Sequence, residues 1–600
     1  MLRLTYLAAL MLLGAAFCQA QRRPNFVLVL ADDQSWNGTS LRMDPARPDS
    51  RSDFHLTPRL ETLAKSGMTF SQGYAPAPKC SPSRISILTG KTNARLHFTF
   101  TDNIKEDSTR LLEPVTEMDI ADSLTTIAEW LGRQGWGYLS AHYGKWHIRG
   151  GGPAQHGFDR GDGETGNEDG NQGGLIQANP RKIFSITDSA CAFMADAARL
   201  GRPFYLQVSH HAPRKPIETR QATLTEWSNP ALHPLGQRHK DPEYAAMLSD
   251  MDTGLGILFD KIKALGLDSN TYILYIADNG AGGNNTPLSG GKAACKEGGI
   301  RVPLVIAGPG IPAGVYHTTA AVGYDLFPTI AALAAQKDPV MLPPGLDGSS
   351  LLPLLKPGNG SFVRGQDLFF HCPHYNESTV PQSALVEGSY KLLADYELGT
   401  LALYDLSKDI GETKDQTALY PEIARKLTIR LRDYLKNVDA RMPGLNPAFP
   451  SHKGSLGDLD ADGLPDAWEI RELLTDRYTS TDDPDQDGLS NLEEYRQRTD
   501  PYTSNRLTAL QEPIVPEPDL FRVQANPFSK TIPLELTPAC EGQQCLLSLY
   551  DLQGRLLLQE RVPYAPQVSL HTPTLPPGTY LLRLQLRESG LRQSHIVLSN

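Results

Sequence analysis

The feature that most restricts the fold of this 600-residue chain is a set of four short apolar runs. Each run is followed directly by polar or turn residues. The runs lie at 25–30, 204–208, 272–276 and 302–306. The first three lead into the pairs Asp32-Asp33, His210-His211 and Asp278-Asn279. Continuous apolar runs of this length are typical of parallel strands buried on both faces. Helical stretches between them, at 123–133, 186–200 and 244–265, predict an α/β domain with a mainly parallel sheet flanked by helices.

Two of the polar pairs predict a cation site. Ligands bind beyond the carboxyl ends of the strands in such sheets, so we expect Asp32, Asp33, Asp278 and Asn279 to gather at one edge. Their hard oxygen donors suit Ca²⁺ or Mg²⁺ better than zinc. The alternative is that each aspartate caps the helix or turn that follows it. The same pattern on two separate strands favours the cation site.

Cys80 follows a loop containing Pro76 and Pro78 and begins a predicted amphipathic helix. Free amides and the helix dipole at such a position favour an anion. Residues 80–90 read Cys-x-Pro-Ser-Arg-x-x-x-Leu-Thr-Gly, an eleven-residue pattern that resembles the type I sulfatases. In that family the cysteine is oxidised by a maturation enzyme to formylglycine, an aldehyde whose hydrate is the nucleophile.

The resemblance covers roughly residues 24–440 and implies an alkaline-phosphatase-like core. It implies that Asp32, Asp33, Asp278 and Asn279, together with the group formed from Cys80, surround one divalent cation. Calcium is the ion expected, with magnesium as the alternative. The ion would polarise the sulfate and offset charge in the transition state.

Three further segments match the family pattern. Gly-Lys-Trp-His at 144–147 assigns Lys145 to sulfate binding and His147 to a proton on the hydrated aldehyde. Both side chains are expected to point the same way from an extended strand. Lys292, five residues before Glu-Gly-Gly-Ile-Arg, is assigned to the sulfate and its bridging oxygen, and Arg84 to the hydrated aldehyde.

The sequence differs from the family pattern at the residue that protonates the leaving alcohol. Many members read Pro-His-x-Pro where this chain has Ser-His-His-Ala-Pro-Arg-Lys-Pro at 209–216. Arg214 stands at the corresponding place, and arginine is a poor proton donor because it stays charged. His211 is therefore the candidate acid, with His210 as the alternative.

The linker predicts two calcium loops. Residues 458–500 contain 14 acidic and 4 basic residues, which accounts for nearly all of the chain's net charge of -11. Both loops place glycine sixth and glutamate last, as the twelve-position EF-hand loop requires. The first has Asp458, Asp460, Asp462, Asp466 and Glu469 as ligands, and the second has Asp483, Asp485, Asp487, Asn491 and Glu494. Calcium is expected to rigidify this linker.

The domain plan places a signal peptide at 1–20, so the mature protein is expected to be secreted or attached to the cell surface. No later apolar run approaches the ~20 residues that span a bilayer. A catalytic domain is predicted at 21–364, a smaller antiparallel subdomain at 365–440, and the calcium linker at 441–518. Residues 519–600 predict a small β-sandwich.

The last 75 residues or so resemble the C-terminal sorting domain of type IX secretion in Bacteroidetes. The resemblance rests on Ala-Asn-Pro-Phe at 525–528, Tyr-Asp-Leu-Gln-Gly-Arg at 550–555 and Leu-Pro-Pro-Gly-Thr-Tyr at 575–580. It implies the type IX secretion machinery as a partner. A carbohydrate-binding β-sandwich is the alternative.

The sequence as a whole predicts a secreted, calcium-dependent sulfatase that acts on a sulfated glycan or a simpler sulfate ester. The alternatives are a phosphoester or phosphonate hydrolase of the same superfamily and a non-catalytic surface adhesin. Nucleic acid is not expected as a partner because the chain has no basic stripe.

Overall fold

The structure is a computed structural model, and the residues it describes are 23–102, 109–336, 341–358, 362–376, 379–447, 449, 458, 460–475, 478–504, 521–523, 530–537, 540–541, 544–550, 556–572, 575–576, 578–586 and 592–599. The predicted signal peptide and the Ala-Asn-Pro-Phe segment of the tail lie outside these residues. The chain divides into two compact units, residues 1–504 and 505–600.

In chain order the strands of the first unit are β1 (Asn25–Ala31), β2 (Gly67–Phe70), β3 (Gly73–Tyr74), β4 (Leu111–Leu112), β5 (Leu139–Gly144), β6 (Arg160–Gly161), β7 (Phe204–Ser209), β8 (Thr271–Ala277), β9 (Leu304–Ala307), β10 (Val315–His317), β11 (Ala321–Val322), β12 (Leu368–Cys372), β13 (Gln382–Glu387), β14 (Tyr390–Asp395), β15 (Thr400–Asp405) and β16 (Gly444–Leu445). Its described helices are α1 (Pro58–Lys65), α2 (Cys80–Thr89), α3 (Ile127–Arg133), α4 (Ile183–Leu200), α5 (Gln221–Trp227), α6 (Pro242–Ala264), α7 (Glu297–Ile300), α8 (Leu326–Ala335), α9 (Leu352–Leu355), α10 (Pro421–Asn437), α11 (Asp466–Glu472) and α12 (Asn491–Gln497).

An eight-stranded sheet in the order β10-β2-β9-β8-β1-β7-β5-β6 forms the centre of the first unit. β1 pairs in parallel with β7 and β8, and β5 pairs in parallel with β7. Every residue of β1 is buried, which requires both faces of the sheet to be covered. The predicted α/β class with a mainly parallel sheet is confirmed.

The fourth apolar run does not form a parallel strand. It forms β9, which is antiparallel to both of its neighbours, β8 and β2. The run is nevertheless fully buried. A continuous apolar composition indicates that a strand is buried on both faces. It does not indicate whether the strand is parallel or antiparallel to its neighbours.

The carboxyl ends of the central strands bring the predicted polar residues together. In the register of the sheet Ala31 lies beside Ala277, and Leu30 lies beside Ser209. Ser209 also lies beside Gly144, the last residue of β5. The residues that follow β1, β8, β7 and β5 therefore emerge side by side at one edge.

Helix α2 carries Cys80 as its first residue. The helix ends at Gly90, which has the left-handed φ of 69° that favours glycine. All ten of its residues are buried, so the expectation of an amphipathic helix is wrong. Ser83 is satisfied internally, since its hydroxyl donates to Ala77 O at 2.7 Å and accepts from Ala77 N at 3.0 Å, whereas the buried Ser86 hydroxyl has no hydrogen-bond partner among the described residues.

A smaller antiparallel sheet, β12-β13-β14-β15, packs with helix α10 around a second core. This matches the short strands and closing helix predicted for residues 365–440. His371, on β12, is buried, and its ring nitrogens lie 2.7 Å from Ser383 Oγ and 3.0 Å from Arg441 O. These contacts give His371 a structural role.

The second unit contains β17 (Phe521–Val523), β18 (Thr531–Leu536), β19 (Gln544–Tyr550), β20 (Leu556–Pro563), β21 (Gln567–His571), β22 (Gly578–Leu586) and β23 (Arg592–Ser599). They form a three-stranded sheet, β17-β18-β21, and a four-stranded sheet, β20-β19-β22-β23. All described pairings are antiparallel, and residues of both sheets share one apolar core. This agrees with the predicted β-sandwich. No described helix in either unit is long and apolar enough to cross a membrane.

Candidate active site

Four predicted residues form one potential cation site. Ligand atoms of Asp32, Asp33, Cys80 and Asp278 all lie within 4.8 Å of one another. Cys80 Sγ lies 3.6 Å from Asp32 Oδ1 and 3.6 Å from Asp33 Oδ1. We call this group the catalytic cluster. The carboxylates of Asp32 and Asp33 face the thiol and the basic side chains described below, which argues against the helix-cap alternative.

Asn279 is the fifth predicted ligand and borders the cluster. Its amide nitrogen donates to Asp33 Oδ1 at 2.7 Å and to Gly280 O at 2.9 Å. Its amide oxygen is buried and accepts no hydrogen bond from a described residue. A buried oxygen without a donor carries a desolvation cost that a bound cation would remove. The donor set is therefore oxygen-rich and suited to a hard divalent ion.

Basic side chains surround the carboxylates. Lys145 Nζ donates to both oxygens of Asp32, at 2.9 and 2.7 Å. Lys292 Nζ donates to both oxygens of Asp33, at 2.5 and 2.6 Å, and lies 3.1 Å from Cys80 Sγ. Lys145, Lys292 and Arg84, the three basic residues assigned to the site from the sequence, thus all lie at the cluster.

Arg84 is almost fully enclosed, with 1% of its side chain exposed. Its Nε and Nη2 donate to Asp278 Oδ2 at 3.0 and 2.8 Å, and its Nη1 donates to Lys145 O at 2.5 Å. A planar guanidinium used in this way fixes the ends of β1, β5 and β8 relative to α2.

The carboxylates differ in their affinity for protons. Burial alone would raise the pKa of Asp32, but Lys145, Arg84 and Lys292 hold it well below its usual value. Burial, and then the charge of Asp32, raise the pKa of Asp278 to about 6 in spite of Arg84. The cluster therefore keeps Asp32 ionised and gains from added positive charge beside Asp278.

The Cys80 side chain is a poor nucleophile as a thiol. Burial raises its pKa to about 11, although Lys145 and Lys292 act in the opposite direction. A thiol with this pKa is protonated near neutral pH, and the thiolate is the reactive form. The side chains of the cluster therefore surround the Cys80 sulfur, which has little reactivity as a thiol.

His147 faces the helix that carries Cys80. Its Nδ1 lies 3.1 Å from Ser81 Oγ. Burial, followed by the charges of Lys145 and Arg84, lowers its pKa to about 2, so the ring is neutral and able to accept a proton. Lys145 and His147 lie beyond the end of β5, and His147 has φ 57°, so the expected extended strand at these residues is wrong.

His211 is better placed than His210 to act in this cluster. Burial lowers the pKa of both, to about 2 and about 4 respectively. The charges of Lys145, Asp32, Arg181 and Arg84 also act on His211, whereas burial is the sole influence resolved on His210. His211 Nδ1 is buried and has no hydrogen-bond partner among the described residues.

Two arginines near the cluster went unrecognised as site residues. Arg214 Nε lies 3.7 Å from Asp33 Oδ2, so it adds a cation to the cluster. Arg181 is fully buried with φ 49°, and its Nη2 donates to His211 O at 3.5 Å. Its Nε and Nη1 are buried without partners among the described residues. Nothing in the local sequence distinguishes Arg181 from a surface charge beside Lys182.

The two loops of the linker adopt one backbone design. Asp458 accepts from the amides of Asp462 and Gly463, and Asp483 accepts from those of Asp487 and Gly488. The sixth-position glycines have φ 97° and 90°, which requires glycine. Ligand atoms within 4.8 Å of one another belong to Asp458, Asp460 and Asp462 in the first loop and to Asp483, Asp485 and Asp487 in the second.

The predicted closing glutamates follow each loop on a helix, and neither belongs to the group of ligand atoms that lie within 4.8 Å of one another. Helix α11 begins at Asp466 and carries Glu469, and α12 begins at Asn491 and carries Glu494. Burial and the neighbouring aspartates raise the pKa of Glu469 to about 8 and that of Glu494 to about 7. Crowded carboxylates of this kind are suited to calcium.

The comparison with known proteins agrees with this geometry. The Sulfatase family model matches residues 24–336. Human arylsulfatase A is 30% identical over 470 residues, which span 67% of this chain and 85% of that protein. The N-acetylgalactosamine-6-sulfatase of Sus scrofa is 29% identical over 376 residues, spanning 58% of this chain and 68% of the relative.

A solved structure of a protein bound to its substrate, D-glucosamine-2-N,6-O-disulfate, has the same fold with a TM-score of 0.50. It is 19% identical and covers 70% of this chain and 98% of that one. Together with the family match, these findings show that the chain belongs to the sulfatase family. The prediction of an enzyme that hydrolyses sulfuric esters is confirmed.

Proposed function

We propose that this protein is an exported sulfatase that removes sulfate from a sulfated saccharide, using a formylglycine formed from Cys80 and a bound divalent cation. One observation carries the proposal: Cys80 Sγ lies 3.6 Å from oxygens of two aspartates and 3.1 Å from Lys292 Nζ, at the first turn of a helix. A nucleophile, cation ligands and an anion-binding lysine thus meet at one point.

The residues around Cys80 fit both groups that the family implies. Asp32, Asp33, Asp278 and Asn279 would hold a calcium ion, since they offer oxygen donors and Asn279 Oδ1 is buried without a donor. When bound, the ion supplies positive charge opposite the sulfate oxygens, and formylglycine supplies a hydroxyl nucleophile that the protonated thiol lacks. Arg84 and Lys292 are placed to orient the side chain at position 80.

The remaining side chains have separable tasks. Lys145, Lys292 and Arg214 provide positive charge for the substrate sulfate, and their positions are fixed before reaction by the aspartates they contact. His147 is neutral and accepts a proton at the face of α2. We assign protonation of the departing alcohol to His211, because its Nδ1 is buried without a partner among the described residues and Asp32 acts on its ring. Burial keeps this ring neutral in the free protein, so it acts as an acid only after it has gained a proton with the anionic substrate in place.

A sulfated saccharide is the substrate class that the relatives support. The porcine relative is named for N-acetylgalactosamine-6-sulfate chemistry, and the solved structure of the same fold holds a glucosamine disulfate. The net charge outside residues 458–500 is close to zero, so an anionic polymer meets little general repulsion at the catalytic domain.

The remaining predictions belong to the same proposal. The signal peptide at 1–20 directs export, the two loops bind calcium, and the C-terminal β-sandwich is the address read by the type IX secretion machinery. The tail's two antiparallel sheets around a single core are compatible with a separate module of this kind.

The decisive experiment is mass spectrometry of the peptide containing residue 80, on protein purified from its native host. We expect the mass loss that marks conversion of a thiol to an aldehyde, together with hydrolysis of an aryl sulfate. An unmodified thiol without turnover would leave the adhesin alternative. Faster hydrolysis of the matching aryl phosphate would assign the phosphoester alternative instead.

A further inference from the structure

A cleft of about 620 Å³ lies between α10 and the two helices of the calcium linker. Its walls include Lys436 from α10, Trp468 from α11, and Tyr495, Arg496 and Arg498 at α12. We call it the linker cleft. It shares no residue with the catalytic cluster.

Two aromatic rings form one wall of the linker cleft. The centroids of Trp468 and Tyr495 are 5.6 Å apart with an interplanar angle of 65°. Tyr495 is 37% exposed and Trp468 is half-buried, so both rings offer surface to a ligand. Partly exposed rings bind the apolar faces of sugar rings while polar groups around them fix orientation.

Basic side chains outnumber acidic ones in the lining of the cleft. Its two acidic residues are already paired: Lys436 Nζ donates to Glu472 Oε2 at 2.5 Å, and Arg432 donates to both oxygens of Asp500 at 2.6 and 2.9 Å. Arg496 and Arg498 are exposed and form no ion pair with the described residues. Two of the four basic residues in a segment of net charge -10 therefore face one cleft.

Both rings lie beside the closing residues of the linker loops. Trp468 immediately precedes Glu469, and Tyr495 immediately follows Glu494, the closing glutamates of the two loops. A cation that draws each glutamate towards its aspartates orients the adjacent ring, because the residues share one helical turn. The shape of the cleft is thus tied to ion binding at both loops.

From this arrangement we propose that the linker cleft is a second binding site for a sulfated glycan, separate from the catalytic cluster and dependent on calcium. Trp468 and Tyr495 contact sugar rings, and Arg496 and Arg498 contact sulfate groups. Retention of a polymer at this site raises its effective concentration at the same enzyme. The choice of a sulfated ligand rests on the function proposed above.

The test is equilibrium binding of chondroitin sulfate to the full-length Cys80→Ala protein in the presence of calcium. Hyaluronan, which carries no sulfate, is the control ligand. In this background Arg496→Gln/Arg498→Gln is expected to weaken binding about tenfold. Trp468→Ala is expected to weaken it as well, and chelation of calcium to abolish the difference between parent and variants. The arginine pair decides the outcome, because both side chains are exposed and surface substitutions of this kind usually change stability little.

A matched control removes the same charge elsewhere. Arg133→Gln/Arg199→Gln neutralises two exposed arginines of α3 and α4 and is expected to leave binding unchanged. Equal binding by the Arg496/Arg498 variant and its parent, or equal loss in the control, would overturn the proposal. Aryl sulfate turnover, measured with Cys80 intact, reports separately on the catalytic proposal and is expected to be the same in both double variants.

Discussion

The catalytic cluster and the linker loops both concentrate aspartates, but they balance that charge in opposite ways. In the catalytic cluster Asp32 and Asp33 contact Lys145 and Lys292 directly, and the carboxylates of Asp32 and Asp278 are fully buried. In the first loop Asp458, Asp460 and Asp462 contact backbone amides, and burial with mutual repulsion raises the pKa of Glu469 to about 8.

The carboxylates of the catalytic cluster are held by ion pairs within the protein, whereas the described contacts of Asp458, Asp460 and Asp462 are with backbone amides instead. Salt bridges hold the catalytic carboxylates in place whatever else binds, which suits a centre whose groups must be positioned before reaction. The loops contain few internal counter-charges, so the calcium that we propose there would supply much of their stability. The four predictions that follow test this contrast, beginning with the largest effect.

Replacement of Cys80 separates the two regions most strongly. Cys80→Ala is expected to reduce aryl sulfate turnover by about a thousandfold or more, because no other described side chain can replace the nucleophile. The matched loop variant Glu469→Gln/Glu494→Gln is expected to keep turnover near the parent value. Steady-state kinetics on both proteins checks this, and substantial turnover by Cys80→Ala would contradict the site.

Asp32→Asn is expected to destabilise the first unit by about 3 kcal/mol, because it leaves Lys145 buried without its charge partner. Both variants are measured in a buffer that contains a calcium chelator. Under these conditions Asp460→Asn removes like-charge repulsion and is expected to stabilise the protein by at most ~0.5 kcal/mol. Urea unfolding of the two variants measures the difference. Equal effects would show that the catalytic cluster is not held by its ion pairs.

Acid is expected to weaken the part of the molecule that contains buried histidine. Burial lowers the pKa of His371 to about 4, so the unfolded chain takes up a proton first as pH falls below about 6.5. The contribution of His371 is therefore complete above that pH and is lost progressively towards pH 4, at a cost of about 2 kcal/mol by pH 4.5.

The measurement is thermal unfolding of the parent and of His371→Gln across this pH range. The variant is expected to show a shallower decline, and the exposed His571→Gln is expected to follow the parent. Residues 458–504 contain no histidine, so this pH effect belongs to the part of the first unit outside the linker loops. Parallel curves for parent and His371→Gln would refute the assignment.

The smallest effect is expected from one loop ligand. Glu469→Gln removes the closing carboxylate of the first loop and is expected to lower calcium affinity of that loop about tenfold. Calorimetric titration should resolve this as one weakened site beside an unchanged second one. Loss of both sites would mean that the two loops bind calcium as a single unit.

Local sequence patterns predicted much of the fold and the catalytic cluster. Apolar runs that end in Asp32-Asp33 and Asp278-Asn279 predicted neighbouring strand ends, because parallel strands place their carboxyl ends on one edge. The direction of β9 could not be predicted this way, since burial gives the same composition to parallel and antiparallel strands. The expectation that helix α2 is amphipathic was wrong because polar residues such as Ser83 and Arg84 find partners inside the protein.

Residues recruited through tertiary structure were harder to find. Arg181 reaches His211 across 30 positions of sequence and has an unremarkable neighbourhood. Arg214 was considered only as a substitute for a histidine, whereas its place beside Asp33 depends on the turn after β7. Arg181 carries no periodic or motif signal, and the motif position of Arg214 does not indicate its contact with Asp33, so only the packed structure assigns these roles.

The 1% exposure of Cys80 has a consequence for the order of events in the life of the protein. An oxidising enzyme needs to surround its target residue, and the completed domain leaves no room around this sulfur. The proposed conversion of Cys80 therefore requires a chain whose residues 80–90 are not yet enclosed in α2. On this proposal a molecule that folds before conversion keeps an unreacted thiol at position 80.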